Sequence, residues 1–184
     1  MPAALLLVAE GVSHFLWPHH PSTSPPEAPA GVASLALMSV FANPWEEIGW
    51  RAFAFTRLEA THKPLFAALI VGVLWGLWHI PFFVWTGNPM SGFPFWPWFV
   101  AIVARSIILG WLYNRAGLSL AVAVVFHVAS NVFGAIIGIN SHASLAIVNV
   151  IAALIVLGFS GAQLAKAPAA NKPYTSASLP SERT

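Results

Sequence analysis

Four stretches of this 184-residue chain, residues 65–85, 95–113, 118–138 and 143–164, are long and predominantly apolar. A bilayer core about 30 Å thick is spanned by roughly 20 apolar residues as helix, at about 1.5 Å rise per residue. Chain buried in lipid must satisfy its own backbone hydrogen bonds, which leaves helices or closed barrels. Barrel strands alternate in character over about ten residues, and these runs do not. A fifth run, 31–50, is apolar except for Glu46 and Glu47 near its end. A sixth, 3–17, is short and carries Glu10 and His14. A signal peptide is the rival reading for that stretch, but it has no basic n-region and matches the A-x-A cleavage pattern poorly, so a short first span is preferred.

Composition points the same way. Apolar residues make up 58% of the chain and charged residues 8%, against about 25% charged in a soluble domain. So few charges could not cover a soluble surface. The expectation is an all-α, polytopic transmembrane bundle of about six spans, forming one domain over residues 1–165. The Pro-rich segment 18–30 and residues 86–94 read as connections, and residues 166–184 as a flexible, polar, cytoplasmic tail. There is no cysteine and no aspartate, since all six acids are glutamates. Disulfides, thiolate metal sites, Cys nucleophiles and Asp-dependent triads are thereby excluded. A net charge of +2 is too weak to suggest nucleic acid as a partner; the bilayer is the expected one.

The basic residues suggest an orientation. Arg51, Arg57 and Lys63 follow the second span, Arg115 the fourth, and Lys166, Lys172 and Arg183 the sixth. The loops after spans one, three and five carry none. Lys and Arg accumulate on the cytoplasmic side, so both termini are read as cytoplasmic, and the protein as integral to a bacterial plasma membrane.

Ionisable groups at membrane depth are costly and point to function. Counted from the inner charges at about 1.5 Å per residue, Glu46, His79, Arg105, His127 and Asn131 lie roughly 15–24 Å in, around the middle of the membrane. Glu47 and Arg51 are spaced i,i+4 and can pair, and His127 and Asn131 share a face in the same way. Glu46 points about 100° away from Glu47, so the two carboxylates are expected to have different partners. One division gives Glu47 the arginine and lets Glu46 meet His79. Arg105 cannot deprotonate; it is expected to face the bundle interior and meet a carboxylate or carbonyl, Glu47, shared with Arg51, being the nearest candidate by depth, or else to snorkel towards the interface. No HExxH is present, and Gly158-Phe159-Ser160-Gly161, with no His after it, reads as a packing face rather than a serine-protease signature.

At these residues the sequence resembles the CPBP intramembrane proteases, the CAAX-protease and bacteriocin-processing (Abi) family that includes the Rce1-like enzymes. Glu46-Glu47-Ile48-Gly49-Trp50-Arg51 resembles the family's EExxxR, and Phe55-Thr56-Arg57-Leu58 its continuation. Trp75 to His79 resembles FxxxH with Trp in place of Phe, and His127 to Asn131 resembles HxxxN. Gly110 to Leu120 resembles the stretch that joins the last two motifs, with Leu118 where Ser often stands. Each motif alone is weak, but their order and spacing over residues 41–131 are specific. The family usually has about eight spans, one or two more than are read here.

The resemblance implies an intramembrane endopeptidase acting on a membrane protein or a peptide, which could be prenylated. Glu46 would be the general base, with His79 holding the same water. His127 and Asn131 would form an oxyanion hole, and Glu47 with Arg51 a supporting ion pair. Glu46, His79 and His127 could instead supply three ligands to a catalytic zinc with water as the fourth; the metal-free glutamate reading is preferred. Two rival classes remain: a non-catalytic immunity or scaffold protein of the same family, and a proton-coupled transporter, although the inverted repeats usual in transporters are not visible.

Overall fold

A computed structural model describes residues 1–18 and 28–165. The expected tail, 166–184, and most of the Pro-rich connection lie outside the described residues. Among the described residues, six helices of 15 residues or more form the bundle: α1 (Pro2–Leu16), α2 (Pro29–Glu47), α3 (Pro64–Trp78), α4 (Phe95–Arg115), α5 (Leu120–Ile137) and α6 (His142–Ser160). This is the expected all-α bundle of about six helices. Four helical stretches are long and apolar enough to cross a membrane: Pro64–Val84, Phe95–Arg115, Leu120–Ile137 and His142–Gln163. They coincide with the four long apolar runs. α1, of 15 residues, rises only about 22 Å.

Local chemistry sets the helix boundaries. Pro29 and Pro64 sit in the first turns of α2 and α3, where the missing N–H would be unbonded anyway. α3 breaks at His79 and resumes as a short helix, Ile80–Val84. Pro81 causes this, because it has no N–H to offer the Leu77 carbonyl and its ring crowds that oxygen. The His79 N–H turns instead to the Gly76 carbonyl at 3.2 Å. α2 has Pro44 in its interior and passes into a π-helix, Ile48–Phe55. Such wide turns are rare and gather at functional sites. α5 stops at Gly138, whose φ of 77° suits glycine. Beyond it, the Asn140 backbone and side chain both donate to the Glu10 carboxylate on α1. The acid that made the first run look marginal thus ties α1 to the α5–α6 turn.

α4 packs against both α3 and α6, α2 packs against α5, and α1 packs against α5 and α6. Large apolar side chains such as Phe15, Phe41, Trp45, Val125, Leu154 and Phe159 are exposed, whereas Ser39, Asn43, Glu47, Arg51, His127 and Asn149 are buried. Polar groups inside and apolar groups outside are what a lipid solvent requires. Small residues let α3 and α4 approach closely. The Ser106 hydroxyl donates to the Ala68 carbonyl at 2.9 Å, and a Cβ on Gly72 would lie 2.9 Å from Ser106 Cβ and 3.0 Å from Val103 Cα. Gly72→Ala should therefore destabilise the bundle by about 1–3 kcal/mol through overpacking. Gly134→Ala, at a position with nothing within 4 Å, should cause no loss. Thermal unfolding in detergent checks both, and a Gly72→Ala protein as stable as wild type would contradict the close approach.

Candidate active site

The π-helix that follows α2 starts immediately after the paired glutamates. Glu47 is completely buried (0% exposed) and Arg51 nearly so (1%). Arg51 Nε lies 3.2 Å from Glu47 Oε2, and its Nη1 donates to Oε1 at 3.4 Å. The i,i+4 pair read from the sequence is therefore formed. Glu47 Oε1 also meets His127 Nδ1 of α5 at 2.8 Å. The carboxylate thus joins α2 and its π extension to α5. The sequence carries no local signal for this long-range contact.

Glu46 has a different partner, as the 100° offset required, but it is not His79. Trp75 Nε1 of α3 donates to Glu46 Oε2 at 2.9 Å. The Trp75 ring also lies beneath Arg51, whose Cζ is 4.5 Å from the ring centroid, and makes an edge contact with His127 at 5.2 Å. A tryptophan where the resembling motif has phenylalanine was the one visible hint, since only tryptophan brings an N–H.

His79 sits at the α3 break and is half-buried. Its Nδ1 lies 2.7 Å from the Trp75 carbonyl. A carbonyl only accepts, so Nδ1 carries the proton and Nε2 is the acceptor of the neutral ring. The imidazole is held at one end of Trp75 and packs against Trp98 at 5.0 Å. Asn131 is half-buried one turn beyond His127, and its Nδ2 makes a long contact of 3.5 Å with Ser39 Oγ of α2.

These groups share a cavity of about 580 Å³, with Glu46, Trp75, His79, Arg105, His127 and Asn131 in its walls. The depth argument thus brings together residues from α2, α3, α4 and α5. Arg105 departs from its expected pairing. Both Glu47 oxygens already face Arg51 or His127, and Arg105 makes no ion pair or hydrogen bond among the described residues. Nor does it snorkel away, because it lines the cavity.

Glu46, His79 and His127, the set considered for zinc, share the cavity wall, but among the described residues no three His, Asp or Glu side chains are grouped as closely as a metal ion needs. Trp75 holds one oxygen of Glu46, Glu47 holds Nδ1 of His127 and the Trp75 carbonyl holds Nδ1 of His79, which leaves the other Glu46 oxygen and both Nε2 atoms for chemistry. What the arrangement offers is a carboxylate with one oxygen not engaged by Trp75, the Nε2 atoms of two imidazoles, and an amide donor around one space.

A family model described as Rce1-like type II CAAX prenyl endopeptidase matches residues 28–133. The chain is also similar to CAAX prenyl protease 2 of Methanococcus maripaludis, at 28% identity over 130 residues. That alignment covers 66% of this chain and 48% of the relative, so the chain spans about half the relative's length. The matched residues include Glu46, Glu47, His79, His127 and Asn131.

The buried triad gives a prediction about stability. Glu47→Gln leaves Arg51 without its counter-charge and should cost about 3–5 kcal/mol, as breaking a buried pair does. Chemical denaturation in detergent measures it. A loss below about 1 kcal/mol, the range of exposed pairs, would show that Glu47 does not carry the junction.

Proposed function

This chain belongs to the family of Rce1-like type II CAAX prenyl endopeptidases, and we propose that it hydrolyses a peptide bond near the C-terminus of a membrane-held, prenylated substrate. The observation that carries this reading is the convergence of Glu46, His79, His127 and Asn131 on one cavity within the bundle. The relative's name refers to a CAAX prenyl protease, and a C-terminal C-a-a-X sequence is one whose cysteine takes a prenyl chain. Leu6, Leu35 and Met38 line the same cavity as the polar groups, which suits a substrate that is part lipid and part peptide.

Water held between Glu46 and His79 is the nucleophile. The Glu46 oxygen not bound by Trp75 takes one proton, and His79 Nε2 accepts the other as a hydrogen bond. Attack on the scissile carbonyl places negative charge on its oxygen. The amide of Asn131 donates to that charge, as does Nε2 of His127 when the ring carries both protons. Glu46 then passes its proton to the leaving nitrogen, and the C–N bond breaks. The Trp75 N–H fixes the Glu46 carboxylate, while Glu47 and Arg51 fix the helix that presents it. The distribution of basic residues supports a bundle with both termini in the cytoplasm.

Glu46→Gln tests the assignment. It keeps the side-chain shape and an acceptor for Trp75 but removes the base. Cleavage of a prenylated peptide by the reconstituted protein should fall by at least about 10²–10⁴-fold, the usual contribution of a general base, with the unfolding midpoint almost unchanged. Full activity in Glu46→Gln would overturn the assignment.

A further inference from the structure

The proposed chemistry uses every ionisable wall residue of the cavity except Arg105 and His142. Arg105 is half-buried on α4 and lines the same space as Glu46. It stands without an ion pair among the described residues. Among the described residues, Glu46 is the only acid in the cavity wall; the other ionisable wall groups are Arg105, His79, His127 and His142. Glu46 is already hydrogen-bonded to Trp75. A permanent cation held in a low-dielectric cavity without an ion-pair partner among the described residues favours an anion there, and a guanidinium presents paired donors that match a carboxylate.

From this geometry we infer that Arg105 is the docking point for the free C-terminal carboxylate of the substrate. The inference rests on the endopeptidase reading and sharpens it, because it names the residue that positions the end of the substrate. The dimensions agree. A cavity of about 580 Å³, taken as a sphere, is about 10 Å across, the reach of three extended residues at about 3.3–3.6 Å each. A C-a-a-X sequence has three residues beyond its cysteine. Arginine in this role selects the end of a chain, so an internal sequence of the same residues, having no carboxylate to place, binds less well.

The test compares a prenylated tetrapeptide ending in a free acid with the same peptide ending in an amide, for the wild type, Arg105→Gln and Arg105→Lys in phosphatidylcholine vesicles. Equilibrium binding and kcat/KM are both read. The wild type should favour the acid by about tenfold or more, in line with one charge-assisted paired contact. Arg105→Gln should reduce that ratio to about one by weakening acid binding alone, and Arg105→Lys should recover part of it. Unchanged amide binding in Arg105→Gln shows that the variant is folded. The same acid-to-amide ratio in Arg105→Gln as in the wild type would overturn the inference. So would a wild-type preference that vanishes when phosphatidylglycerol is added, because a lipid phosphate would then be the resident anion. If neither peptide is cleaved, the endopeptidase reading fails, but the binding ratio still decides the role of Arg105.

Discussion

The Glu47 carboxylate is the contact on which the arrangement of the other site residues depends. It lies on the last turn of α2 with no exposure and is met by Arg51 from below and His127 from across the bundle. A buried charge is tolerated only when paired and hydrogen-bonded. Three groups on two separate elements must therefore arrive together, which fixes the register of α2 against α5. Arg51 extends the link, because its guanidinium lies over the Trp75 ring of α3. A single ionic junction thereby aligns the three helices that carry Glu46, His79, His127 and Asn131.

Trp75 turns that alignment into a division of labour between two adjacent carboxylates. Glu47 faces the interior and is held by its ionic partners. Glu46 faces the cavity and is held by a neutral N–H donor. A neutral donor fixes the position of the Glu46 carboxylate while leaving its other oxygen unengaged by Trp75. The division arises because adjacent residues on a helix point about 100° apart. The kink at His79 serves the same end. Pro81 ends the regular helix, and the His79 ring bonds back to the Trp75 carbonyl through Nδ1, so the acceptor nitrogen belongs to Nε2.

Much of this was legible in the sequence. The four long apolar runs appear as helices within a residue or two of their expected ends, because lipid makes the hydrophobic signal continuous and leaves few alternatives to helix. The Glu47–Arg51 pair followed from i,i+4 spacing. Depth counting brought Glu46, His79, Arg105, His127 and Asn131 to one level, and they line one cavity. The partners of Glu46 and His127 were not legible, since contacts between helices depend on rotation and tilt, which packing sets. The same reason underlies the misjudged pairing of Arg105: depth identifies residues at one level but not which way they turn. The π-helix could not be read either, although Pro44 marks the disturbance that precedes it.

In the proposed mechanism, water held by Glu46 and His79 attacks the substrate. A single turnover with enzyme in excess, carried out in ¹⁸O-labelled water, tests this step. The label should enter the new carboxylate of the product, and none should enter the Glu46 side chain. Label in Glu46, with unlabelled oxygen passed to the first product, would mean that the carboxylate itself attacks and that water does not.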